Sequence, residues 1–159
     1  KKTVIMNELR IEIPEGFKID TFDKATGVVK FAEKPKDIKD KVKSFEDACD
    51  VLGITPQNPD LETIPTKLQK PLFAHYKLCI IAMALNEGWE PDWDNDDEYK
   101  YYPYFDMEGS SSGGFSYFGC DSDLSTSTVG SRLCFKSRDL AEYAGKQFEA
   151  IYREYFVIE

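Results

Sequence analysis

His75 is the only histidine in the chain, and so the only side chain whose ordinary pKa suits proton transfer near neutrality. It stands next to Tyr76 on an apolar helical stretch, and no Ser, Cys or carboxylate is tied to it by a spacing that implies a triad. The expectation is a half-buried helix residue, with no catalytic residues assigned. No G-x-S-x-G, phosphate-binding loop, dinucleotide-binding glycine pattern or H-E-x-x-H occurs, so no cofactor is expected. Paired-carboxylate hydrolysis depends on separation in space, and any of the 29 acidic residues could take part in it.

The densest chemical signal is Asp92-Trp93-Asp94-Asn95-Asp96-Asp97-Glu98, where Asp92, Asp94 and Asp96 are the candidate oxygen ligands for a hard cation. An EF-hand is excluded, because its sixth place needs Gly and holds Asp97, and its twelfth needs a bidentate Glu and holds Pro103. The alternative is a solvated acidic turn. Around it gather Trp89, Trp93, Tyr99, Tyr101, Tyr102 and Tyr104, followed by Phe105, Phe115, Tyr117 and Phe118. Strand alternation cannot bury all of these rings, so the first six are the candidate binding residues: a platform for a sugar, a base or a partner protein.

These residues must be positioned by a chain whose 159 residues fit one domain, taken as 1–159, and which is 42% hydrophobic, 31% charged and rich in aromatics at 14%. A formal net charge of -9 disfavours non-specific binding to nucleic acid and to anionic membranes. Cys49, Cys79, Cys120 and Cys134 form no C-x-x-C pair. With one His to assist them they predict no zinc site, and Cys79 and Cys134, in apolar stretches, are expected to be reduced core residues. That favours a cytoplasm. The longest apolar run, Leu78 to Leu85, is too short to span a bilayer. The chain opens Lys1-Lys2-Thr3 with no apolar signal core, and the absence of an initiator Met leaves a removed N-terminal segment open.

Alternation at Leu9, Ile11 and Ile13, the break Pro14-Glu15-Gly16 and the run Ile19 to Phe31 predict an N-terminal β-hairpin or meander. Lys34 to Lys43 reads as a solvated connector. Ser44 with Asp47 predicts a capped helix over Phe45 to Leu52, stopped by Gly53, and Pro56, Pro59 and Pro65 predict a loop after it. A central helix is expected to start near Pro71, to carry Leu72, Phe73, Tyr76, Cys79, Ile80 and Met83, and to stop at Gly88. Tyr99–Phe105, Gly114–Phe118 and Arg132–Phe135 read as strands of an antiparallel, aromatic-rich sheet, with Ser110 to Gly114 as a mobile hairpin tip. Ser137 caps a final amphipathic helix whose one stripe is Leu140, Ala141, Ala144, Phe148, Ile151, Tyr152 and Tyr155. Without βαβ alternation the fold class is α+β.

The run Asn86-Glu87-Gly88-Trp89-Glu90-Pro91-Asp92-Trp93, with Ile11-Glu12-Ile13-Pro14-Glu15-Gly16-Phe17 and Val129-Gly130-Ser131-Arg132-Leu133-Cys134-Phe135-Lys136-Ser137, resembles an uncharacterised family of phage and prophage proteins of gut Bacteroidetes. The resemblance implies a mobile-element origin and no particular activity. The function expected is a non-enzymatic accessory protein that binds another macromolecule, a protein above all, through the acidic and aromatic surface. The competing expectations are a nucleic-acid mimic, a carboxylate-based hydrolase or carbohydrate-binding protein, and a virion or assembly component.

Overall fold

The computed structural model describes residues 10–33, 37–109 and 114–158. Its elements are both helical and antiparallel-stranded, an α+β architecture. Contacts divide the chain into two compact units, 1–36 and 37–159.

In the first unit, β1 (Phe17–Phe22) and β2 (Val29–Glu33) pair antiparallel, with an irregular register between Ile19 and Thr21. Asp23 builds the turn: its carboxylate accepts from the Ala25 N–H and the Thr26 hydroxyl, and Gly27 supplies a φ of 72°. The expected strand at Glu8 to Ile13 is not there. Arg10 to Ile13 are irregular, and Glu8 and Leu9 lie outside the described residues.

The second unit opens with a correction to the solvated connector. Asp37 caps a short helix, α1 (Ile38–Lys41), and Ile38 and Val42 are buried in the core. The pattern is easy to miss because lysines and aspartates surround those two side chains. Residues 34–36 lie outside the described set. Helix α2 (Phe45–Leu52) forms as its sequence requires, with a reciprocal Ser44–Asp47 capping box and a left-handed stop at Gly53.

Helix α3 (Thr66–Asn86) begins a turn earlier than Pro71 suggests. The Gln69 side-chain amide ties that first turn down, donating to the carbonyls of Leu61 and Ile64 at 3.1 and 2.9 Å. Pro71 therefore sits inside the helix, where it removes one backbone hydrogen bond. Leu78, Ile81, Ala84 and Leu85 make the C-terminal half of α3 the centre of the core.

Strands β3 (Lys100–Asp106) and β4 (Ser116–Asp123) form a two-stranded antiparallel hairpin with a bulge at Tyr104/Phe105. β4 thus runs on to Asp123, past the Phe118 at which the expected strand ends. Arg132–Phe135 is not a strand; only Phe135 pairs, in a single bridge to Tyr101. The expected tip at Ser110 to Gly113 lies outside the described residues.

The final stripe is split between two helices, α4 (Arg138–Gln147), capped by Ser137, and α5 (Glu149–Phe156), with Phe148 out of helical conformation at the joint. A straight helix would present that stripe to one neighbour. The break lets α4 lie on β3 and β4 while α5 packs on α3. Gly145 permits the close approach of α4: a Cβ there would stand 2.5 Å from the Tyr117 ring and 2.7 Å from Pro103. Under the hairpin, Phe105 stacks with Phe115 at 4.9 Å and meets Tyr152 at 4.7 Å.

Candidate functional site

Helix α3 ends where Glu87 and Gly88 take φ values of 51° and 84°, which turns the chain back and delivers Trp89 beside the helix it has just left. Buried Asn86 fixes this corner. Its amide donates to the Cys134 carbonyl at 2.9 Å, and its side-chain oxygen accepts from the Lys136 N–H at 3.0 Å.

The acidic Trp loop then folds onto itself. Glu98 accepts from the Trp89 indole N–H at 3.3 Å and from the Asp92 backbone N–H at 2.8 Å. Its partner in charge is Lys100, whose ammonium lies 3.5 Å away, donates to the Asn95 carbonyl at 3.2 Å, and sits 5.3 Å from the centre of the Trp93 ring. Lys100 is fully buried. The Asp92 N–H above all, then the Trp89 indole and Lys100, hold the Glu98 carboxyl below its usual range against the opposing effect of burial.

A neighbouring loop completes the clasp. The Trp93 indole donates to the Ser131 hydroxyl at 2.8 Å, and the Ser125 hydroxyl binds the Asp96 carboxylate. Tyr102 is buried, with its hydroxyl donating to Thr128 at 3.3 Å.

This loop and the end of α3 enclose an open cleft of about 500 Å³ lined by Cys79, Met83, Trp89, Glu90, Pro91, Ser131 and Arg132, with Asn86 at its base. That volume falls in the range of small-ligand sites, and the lining is about as polar as it is apolar. The Arg132 guanidinium makes no hydrogen bond or ion pair among the described residues. Among the described residues the cleft lining holds one carboxylate, Glu90.

The six candidate aromatics do not share one face. Trp89 lines the cleft; Trp93 borders it through Ser131 and covers Lys100. Tyr101 is half-buried under the Arg138 guanidinium, and Tyr102 belongs to the interior. Tyr99 and Tyr104 are exposed, the latter 5.5 Å from the exposed ring of Phe118 and leaning across Gly119, which has no Cβ to obstruct it. Asp92, Asp94 and Asp96 are exposed, and among the described residues no group of three or more His, Cys, Asp and Glu side chains could hold a metal ion. Asp92 and Asp96 direct oxygens to the Asp94 N–H and to Ser125 instead.

Two features of the site were missed in the sequence. Cys79 is half-buried in the cleft wall, not a sealed core residue, and its sulfur lies 3.6 Å from Nε2 of His75. The four-residue spacing that places both on one helix face was available. Arg132, by contrast, reaches the cleft only through tertiary structure. All four cysteines are free thiols.

No protein-family model, curated protein or solved structure matches the chain. No helix among the described residues is long and apolar enough to cross a membrane.

Proposed function

We propose that the protein is a non-enzymatic binding protein, an accessory of phage or prophage origin, which grips a partner protein at the cleft beside the acidic Trp loop. The observation that carries this reading is the clasp around Glu98 and Lys100: it holds Trp89 in place against an open cleft whose edge carries Arg132, a guanidinium without a hydrogen bond or ion pair among the described residues. A Trp fixed before the partner arrives loses little side-chain freedom on binding, and Trp and Arg are the residues on which binding energy most often concentrates. The surrounding acids suit a partner surface with basic residues near its anchor, by charge complementarity.

The test is affinity capture from nuclease-treated bacterial lysate with three baits: the natural protein, a Trp89→Ala/Arg132→Ala variant, and a Tyr104→Ala/Phe118→Ala variant of the exposed hairpin pair. One partner retained by the first and third baits and lost from the second supports the cleft. Equal recovery by all three, loss from the third alone, or no partner from the natural protein contradicts it.

A further inference from the structure

The cleft wall contains chemistry that a binding surface does not need. Cys79 Sγ stands 3.6 Å from His75 Nε2, one helical turn away, and faces the same space as Trp89, Met83, Pro91 and Arg132. The other ring nitrogen of His75, Nδ1, is buried and is the one buried side-chain nitrogen or oxygen without a partner among the described residues. A buried polar atom left unpaired is destabilising and calls for a reason. The Cys79 sulfur is then the hydrogen-bonding neighbour of this imidazole among the described residues. The Tyr155 ring packs against His75 at 5.2 Å, Tyr152 and Arg132 face Cys79, and Glu90 is the carboxylate of the cleft lining among the described residues.

We propose that Cys79 and His75 form a base-assisted thiol site in the cleft wall, which exchanges with aromatic disulfides carrying an anionic group. Burial pushes the Cys79 thiol up, with Arg132 opposing, so the resting sulfur keeps its proton and reacts by giving it to His75 during attack. As Sγ attacks one sulfur of the incoming disulfide, its proton passes to Nε2. A new S–S bond joins Cys79 to that half, the original S–S bond breaks, and the other half leaves as an aryl thiolate. The imidazolium then returns its proton to water. One disulfide replaces another, with no net oxidation. Trp89, Met83 and Pro91 supply the surface for the aromatic body, and Arg132 the counter-charge.

Cys120 is a built-in control. It too is half-buried, burial raises its thiol, and an arginine, Arg138, opposes that rise, but its sulfur contacts the Asp121 carbonyl and no imidazole. The proposal does not depend on the binding reading, since it is tested without a partner.

The experiment treats the folded protein with dithiobis-nitrobenzoate, an anionic aromatic disulfide, and assigns the modified thiols over time by peptide mass mapping. Cys79 is expected to react faster than Cys120 by on the order of a hundredfold, the lower end of general-base assistance. His75→Asn removes that advantage without changing the Cys120 rate, and Arg132→Ala slows Cys79 more with this reagent than with uncharged dithiodipyridine. Buried Cys49 and Cys134 stay unmodified while the fold is intact, and so report on each variant. Cys79 reacting no faster than Cys120 in the natural protein, a result that needs no variant, would overturn the proposal. So would an undiminished Cys79 rate in a folded His75→Asn protein.

Discussion

Lys100 is the residue on which the site turns. A lysine in an aromatic strand reads from sequence as solvent-facing, and here it is fully buried beneath Trp93, with Glu98 as its charge partner. Removing one member of such a pair leaves a desolvated charge uncompensated, whereas replacing both is often close to neutral. Glu98→Gln is therefore expected to lower stability by roughly 2–4 kcal/mol, and Lys100→Met added to it to restore part of that loss, read by urea denaturation of the four species of a double-mutant cycle. Simple addition of the two single effects would show that the ammonium and carboxylate do not depend on each other. The same carboxylate gives a pH signature. Its folded pKa lies below the ordinary value of 4.5, so its stabilisation is fully present above that value and is lost as the pH falls through the folded one. The acid-side decline in stability is expected to be shallower in Glu98→Gln. Asn86 belongs to the same scale: Asn86→Ala strands the Lys136 N–H and the Cys134 carbonyl, at a cost of about 2–3 kcal/mol.

At the scale of elements, what the chain signalled locally is what formed. The Ser44 capping box, the Gly53 and Gly88 stops and the Ser137 cap are each complete within a few residues, and each stands where its signal lies. Two of the departures have tertiary causes. Ile38 and Val42 become core because Tyr143 donates its hydroxyl to the carbonyls of Lys39 and Val42, at 2.9 and 2.7 Å, and Gln147 reaches Lys43. The last helix divides because its stripe serves two neighbours. Gly145→Ala tests that packing with a sign opposite to helix propensity, which favours Ala by up to about 1 kcal/mol. Because the new methyl group would meet Tyr117 and Pro103, a net destabilisation of roughly 1–3 kcal/mol is expected, measured as a lowered thermal transition. A stabilised variant would mean that α4 does not press on the hairpin as described.

Across the whole molecule, the core cluster lies between Ile38 and Val157, within the second unit. An isolated two-stranded hairpin is marginal in water. A chain beginning at Asp37 is accordingly expected to keep a single cooperative unfolding transition, and its loss would show that the second unit cannot fold alone. The candidate site was partly legible in advance. The Trp-rich acidic run was recognisable as unusual, and Trp89 does line a cleft. The sorting of its aromatics into cleft, clasp and interior was not legible, because it depends on loops far apart in sequence, as in the bonds from Trp93 to Ser131 and from Tyr102 to Thr128. The chain contains two tryptophans, Trp89 and Trp93, so an amide-correlation NMR spectrum of the labelled protein carries two indole N–H signals, one from the cleft and one from the clasp. On addition of the captured partner, the Trp89 signal is predicted to shift or broaden while the exposed Tyr104 and Phe118 backbone signals stay in place. A bound partner that moves the hairpin signals and leaves Trp89 untouched would contradict the account.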